Sequence, residues 1–355
     1  MNSNFLLRSI RIALFPFSVL YGIIIKLRNW LYKVNFFKSV SFNMPIINVG
    51  NLSVGGTGKS PMVTYLAQHL QHQYQLAILS RGYKRKTKGF LIANANTTAL
   101  DIGDEPFLYY TQLPNVAVAV CENRVLAVPQ LLQLVPNMNA ILLDDALQHR
   151  AIVPNLNIVL TSYHNLYIDD YFLPTGDLRD ERSSIQRAHI VVITKCPTNI
   201  TKQQQQAVIS KLALPATQSV YFSTIIYASL YGLFTKQTVA LQPSMEILIV
   251  TGIANPLPLE EYLVHQVHAY YKLTYSDHHL FTTTDIKEIT KEFAAISATK
   301  KIIITTEKDA VRLTKFGNTI AHLPIYVLPM QLQILPSNNQ YTLVQLVQQH
   351  IQGFK

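Results

Sequence analysis

The chain has 355 residues, 49% of them apolar, so it can build two compact domains with cores of their own and is not a disordered segment. Its two cysteines, Cys121 and Cys196, are too few for a disulfide framework and lack metal-ligand spacing, which fits a reducing compartment. The net charge of +10 lies wholly on the first hundred residues, which hold 12 Lys or Arg and no carboxylate before Asp101. That asymmetry points to an anionic partner: nucleic acid, a phosphorylated substrate, or the anionic leaflet of a membrane.

Residues 1–40 favour the membrane. Fourteen uncharged, mostly apolar residues separate Arg11 from Lys26, short of the roughly 20 that a spanning helix needs. No small-residue cleavage site marks a signal peptide. Arg8 and Arg11 precede the apolar stretch, and Lys26, Arg28 and Lys33 follow it with Trp30 nearby. This is the composition of a basic amphipathic helix lying in a membrane interface, with Pro16 expected to bend it. A helical hairpin buried in the protein, or in a dimer interface, is the alternative.

Residues 41–215 read as a nucleotide-binding domain. The apolar run Pro45–Gly50 predicts a strand, Ser53-Val54-Gly55-Gly56-Thr57-Gly58-Lys59-Ser60 a glycine-rich turn, and Pro61–Leu70 a helix. Glycines let successive backbone N–H groups point into one concavity at the helix N-terminus. Gly55, Gly56, Thr57 and Gly58 would then cradle nucleotide phosphates, Lys59 would reach the β- and γ-phosphates, and the Ser60 hydroxyl would ligate Mg²⁺. The phosphate-loop pattern asks for glycine where Ser53 stands, and a plain strand-to-helix connector is the other reading.

Further along, Leu76–Leu79 predicts a strand before the basic turn Ser80–Lys86, and Asp101–Pro106 opens a helix. Val116–Val120, Ala140–Leu143, Ile158–Leu160 and Ile190–Ile193 continue the strands, so the expected fold is α/β: a doubly wound, mainly parallel α/β/α sheet. Ligands bind at the carboxyl ends of strands in such sheets, where the polar clusters fall. The Gln-rich Lys202–Ala207 reads as a solvated helix face, residues 216–234 as a linker, and 235–355 as a second, smaller α/β/α domain closing the active-site cleft. In it Ile247–Gly252 and Ile302–Ile304 are expected strands, Asp277-His278-His279 follows Tyr271–Tyr275, and Thr342–Gln352 closes the chain as a helix.

Three carboxylate clusters carry candidate chemistry. Asp144 and Asp145, after a short apolar strand, match a carboxylate that holds Mg²⁺ beside a phosphate loop, or else cap the next helix. Asp104 can accept the proton of an acceptor hydroxyl, or, with Glu105 before Pro106, complement a helix dipole. Asp277-His278-His279 can orient one another, but without a third ligand they make no zinc site; surface histidines without a role are the alternative. The basic run Arg81–Lys88 lacks interleaved aromatics other than Tyr83, which argues against single-stranded nucleic acid and for a substrate phosphate.

Together these stretches resemble the tetraacyldisaccharide 4′-kinase family, the lipid A 4′-kinases of Gram-negative bacteria. The matching segments are Asn48-Val49-Gly50-Asn51-Leu52-Ser53 running on to Pro61, Ser80-Arg81-Gly82-Tyr83, Gly103-Asp104-Glu105-Pro106, Asn123-Arg124, Leu143-Asp144-Asp145 with Leu147-Gln148-His149, Leu178-Arg179, and Asp277-His278. The family's own loop lacks the glycine that Ser53 replaces. Ala146, Thr175 and Asp177 depart from the family pattern and touch fine loop geometry more than the reaction.

The resemblance implies ATP- and Mg²⁺-dependent phosphorylation of the 4′-hydroxyl of a lipid A disaccharide precursor. The enzyme would work as a monomer, peripherally, on anionic lipids at the cytoplasmic face of the inner membrane, with no nucleic-acid partner. It implies Asp104 as catalytic base assisted by His278, Lys59 on ATP, and Ser60, Asp144 and Asp145 at the metal. Asn51, Arg81, Tyr83, Arg124, Gln148, His149 and Arg179 would face the phosphorylated disaccharide. A membrane-associated P-loop NTPase switch or assembly factor is the rival. A GTPase should show Asn-Lys-x-Asp, of which Ile193-Thr194-Lys195-Cys196 offers only the lysine. A nucleic-acid-binding ATPase fits the basic charge but not the apolar N-terminus.

Overall fold

The computed structural model describes residues 11–354, so Arg8 lies outside the described residues. Short runs of leucine and β-branched residues form the central strands β1 (Ile46–Asn51), β2 (Leu76–Ser80), β3 (Leu91–Ile92), β4 (Ala117–Val120), β5 (Ala140–Asp144), β6 (Leu156–Ser162), β7 (Ile190–Thr194) and β8 (Ser219–Tyr227). β1, β2, β5 and β7 are buried along their whole length, as parallel strands covered on both faces must be. With a late strand, β15 (Met330–Ile334), they make a nine-stranded sheet in the order β15-β8-β7-β6-β1-β5-β2-β4-β3. Its pairs are parallel except at the two edges, where β3 and β15 run antiparallel to β4 and β8. β1 sits between β5 and β6, and its register sets Val49 beside Asp144. The phosphate loop and the aspartate pair therefore leave the same end of adjacent strands.

The second sheet is built from β9 (Leu230–Gly232), β10 (Thr238–Val239), β11 (Glu246–Thr251), β12 (Ala269–Thr274), β13 (Lys301–Thr306) and β14 (Ile325–Leu328), in the order β10-β9-β14-β13-β11-β12. Leu259 and Leu263 of the helix Leu257–Val264 cover one face, and Ile286, Ile289 and Phe293 of Thr283–Ala295 the other.

The expected boundaries are redrawn by these pairings. Residues 216–234 are not a linker: β8 extends the first sheet and β9 belongs to the second. Nor does all of 235–355 belong to the second unit. β15 crosses back to β8, and Leu343, Val347 and Ile351 of the helix Leu343–Gln352 join the core around Met62 and Leu66. Their i, i+4, i+8 spacing predicts the helix but carries no information about which sheet it covers.

The helix Phe15–Lys33 packs with its polarity inverted. It buries Ser18, Gly22, Ile25 and Asn29, while Phe15, Phe17, Val19, Leu20, Ile23, Ile24, Leu27 and Trp30 face outward. The buried stripe is pinned by polar contacts. The Ser18 hydroxyl donates to the Phe172 carbonyl at 2.7 Å, and the Asn29 amide donates to Asp180 and Glu181 at 2.8 and 2.6 Å. Helical residues 11–13 end in a turn at Leu14, and Pro16 stands in the first turn of the helix that follows, where its missing N–H is not needed. Among the described residues no helix is long and apolar enough to cross a membrane.

Candidate active site

The loop after β1 is held from one side by the segment 170–180. Ser53 pairs with Leu178, and the Val54 N–H donates to the Asp177 carbonyl at 2.7 Å. Gly58 caps the helix Lys59–Leu70 at φ +89°, a conformation that disfavours any side chain. At Gly55 no atom lies within 4 Å of where a Cβ would stand, so the loop opens onto free space. The Lys59 ammonium points back along it, donating to the Asn51 side-chain oxygen Oδ1 at 3.1 Å and lying 3.8 Å from the Asp145 carboxylate. Burial lowers its pKa.

Two adjacent aspartates end up in opposite electrostatic states. Asp144 is buried at the end of β5, with one oxygen accepting from the Ser80 hydroxyl at 3.1 Å and the other, Oδ1, unbonded. Burial, with the negative charges of Glu105 and Asp145, pushes its carboxyl up to about 7. Burial opposes charge on Asp145 too, but Lys59 and a two-pronged contact from Arg179 outweigh it and hold that group below the usual range. A buried carboxylate with a free oxygen and no ion-pair partner among the described residues fits a divalent cation. Ser60 lies beside Glu105 on the other side of the same opening. Among the described residues no three His, Cys, Asp or Glu form a ready-made cage, so the donor set suits Mg²⁺ arriving with phosphate oxygens.

The remaining carboxylate is shared between the two units. Gly103, at φ +92°, turns the chain into the helix Asp104–Gln112; a Cβ there would stand 2.8 Å from the Tyr83 carbonyl oxygen. Asp104 then meets the second unit. Its Oδ2 is 2.9 Å from His278 Nδ1, and it accepts from Arg312 Nη2 at 2.6 Å and Nε at 3.2 Å. None of these contacts falls on Oδ1. Burial works against ionisation, but the bonds to His278 and Arg312 outweigh it and hold the carboxyl at about 2. Next to it Lys308 Nζ donates to Glu105 at 2.6 Å, and Gln112 meets Glu307 at the far end of the same helix.

The expected substrate-facing residues divide. Arg124 and Arg81 place positive charge beside His149; burial and the two guanidinium charges lower His149 to about 4, which keeps its imidazole neutral, and its Nε2 is unbonded. Gln148 donates to the Asn51 carbonyl at 2.8 Å and keeps a free side-chain oxygen. Tyr83 is exposed, with its ring edge-on to His278 at 6.1 Å. Asn51 is fully buried, donating to the Ser53 carbonyl and Thr57 hydroxyl and accepting from Lys59 and Arg179. Arg179 is likewise committed to Asp145. Within the basic run, Arg85 is spent inward, on Glu122 and the Gly89 carbonyl. Sequence reasoning missed Lys308 and Arg312; the only available signal was two cations spaced i, i+4 after an apolar strand.

The family model described as tetraacyldisaccharide-1-P 4′-kinase matches residues 10–352. A tetraacyldisaccharide 4′-kinase of Flavobacterium johnsoniae is 46% identical over 319 residues, covering 89% of this chain and 92% of that protein. One of Bacteroides thetaiotaomicron is 39% identical over 355 residues, covering 96% and 92%. The crystal structure of the "apo" form of LpxK from Aquifex aeolicus in complex with ATP aligns with a TM-score of 0.75 at 27% identity, over 97% of this chain and 99% of that one.

Proposed function

The chain belongs to the tetraacyldisaccharide-1-phosphate 4′-kinase family, and within that activity we propose that Asp104 is the base that takes the proton of the acceptor hydroxyl. The enzyme is a phosphotransferase of lipid A biosynthesis that uses ATP and acts on a lipid A disaccharide precursor. The observation that carries the base is the one-sided bonding of Asp104: His278 and Arg312 occupy Oδ2 and leave Oδ1 for a hydroxyl.

Around it the loop Gly55–Gly58 receives the phosphates, and Lys59 moves its charge from Asn51 and Asp145 onto them. Ser60 and Asp144 would hold Mg²⁺, with Asp145 keeping Lys59 and Arg179 in register. When bound, the metal offsets charge on the transferring phosphoryl group. Arg81, Arg124, Gln148 and His149 offer donors and positive charge to the phosphorylated disaccharide, with Tyr83 at its rim. Asn51 and Arg179 brace the loop from beneath.

The outward apolar row of the helix Phe15–Lys33, with Lys26 and Lys33 exposed beside it, supports docking on the anionic cytoplasmic face of the inner membrane. Replacing Asp104→Asn should lower turnover by about 10²–10⁴ while ATP affinity changes little. Near wild-type turnover in that variant would remove Asp104 from this role.

A further inference from the structure

We propose that Arg312 is the positioning residue for the base: anchored in the second unit, it reaches across the cleft and fixes Asp104 so that Oδ1 alone faces the acceptor. This rests on the reading of Asp104 as base. Arg312 is built to stay where it is. Its side chain is 3% exposed, and Nη1 donates to Asp309 Oδ1 at 3.0 Å and to the Gly252 carbonyl at 3.3 Å. Asp309 is itself fully buried, its other oxygen accepting from the Gly252 N–H at 3.0 Å and the Thr306 hydroxyl at 2.7 Å. One edge of the planar guanidinium is thus consumed by its own unit. The opposite edge, Nε and Nη2, is presented to a single oxygen of Asp104, with Nη2 also 3.1 Å from His278 Nδ1. A charge buried this completely is costly unless it is paired, so the carboxylate of the other unit completes the arrangement.

A strong cation on a base weakens its proton affinity, which would be a poor arrangement if the proton had to leave early. Phosphoryl transfer through a loose transition state asks less of the base; an ionised, oriented acceptor suffices until bond formation is advanced. Arg312 supplies both properties, and a mobile side chain reaching for phosphate would supply neither. Lys308, one turn earlier on the same face, grips Glu105 in the same way, so the helix Glu307–Leu313 holds two neighbouring residues of the first unit. The charged and titratable groups facing Asp104 are His278 from the loop after β12, Arg312 and Asp309 from this helix, Glu105 with its partner Lys308, and Tyr83 beside His278.

The test is steady-state phosphorylation of a tetraacyldisaccharide 1-phosphate by Arg312→Gln, Arg312→Lys, Asp104→Asn and the double variant Asp104→Asn/Arg312→Gln, with thermal melts alongside. Arg312→Gln should lower kcat about 100-fold with KM for ATP little changed. The acid limb of its kcat profile should move upward by roughly 1–3 pH units. Arg312→Lys should recover part of the rate and most of the wild-type profile, because it keeps the charge and loses the fork. It also decides the matter if Arg312→Gln fails to fold, since a lysine variant with wild-type kcat and profile would overturn the proposal. In the Asp104→Asn background, Arg312→Gln should cost little more, since the two act as one unit. Multiplicative losses in the double variant, or a rate loss in Arg312→Gln with an unmoved pH profile, would overturn the positioning role while leaving Asp104 as base. An active Asp104→Asn enzyme would overturn the base itself.

Discussion

Glu307 shows how a single residue can tie stability to pH where the two units meet. Burial raises its carboxyl to about 7, although the Met330 N–H and the Gln112 amide both favour the charged form. The folded state therefore keeps a proton that the unfolded chain releases near 4.5. Its contribution is fully present below that value and is lost as pH rises to about 7, at a cost of up to about 3 kcal/mol. Glu307→Gln should accordingly unfold with wild-type stability at low pH and be the more stable protein at pH 8, read by denaturant titration at both pH values. An equal difference at the two would contradict the assignment. At this scale, residues whose partners are near in sequence were legible: Gly58-Lys59-Ser60 and Asp144-Asp145 carry their chemistry in a few consecutive positions. Arg312 and Glu307 were not, because their meaning comes from Asp104 and Gln112, about two hundred residues away and placed opposite only by the fold.

The N-terminal helix makes a separable prediction at the scale of an element. Its inner stripe of Ser18, Gly22, Ile25 and Asn29 is spent on the segment 170–181, and Tyr21 donates to the Arg179 carbonyl at 3.2 Å. Its outer row is exposed among the described residues, apart from the edge-on contact of Phe15 with the Tyr171 ring. Asn29→Leu leaves the buried Asp180 short of a donor and should cost about 1–3 kcal/mol of stability. Leu20→Gln/Ile23→Gln/Leu27→Gln should leave the melting temperature nearly unchanged and release the protein from anionic vesicles in a co-sedimentation assay. Unchanged sedimentation would exclude this row as the membrane contact. Composition and flanking charge made a helix with an exposed apolar row readable. Which residues face inward was hidden, because a buried stripe of serine, glycine and asparagine looks, in sequence, like the polar side.

At the scale of the whole molecule, the alternation of short apolar runs with helices was enough to expect a doubly wound parallel sheet, since its central strands β1, β2, β5 and β7 are buried on both faces. The return of β15 and the last helix to that sheet was not legible, because an amphipathic pattern does not name its partner. That return binds the second unit at both ends of its chain, so His278, Lys308 and Arg312 are delivered to a cleft whose other wall is the phosphate loop. The two walls together distinguish a kinase that transfers phosphate to a lipid hydroxyl from a membrane-bound NTPase that would use the loop alone. The most direct measurement supplies γ-labelled ATP, Mg²⁺ and tetraacyldisaccharide 1-phosphate in vesicles. Wild-type protein should move the label to the 4′-position of the lipid, and Lys59→Ala should not. Label released as inorganic phosphate at the same rate with or without the lipid would contradict the account.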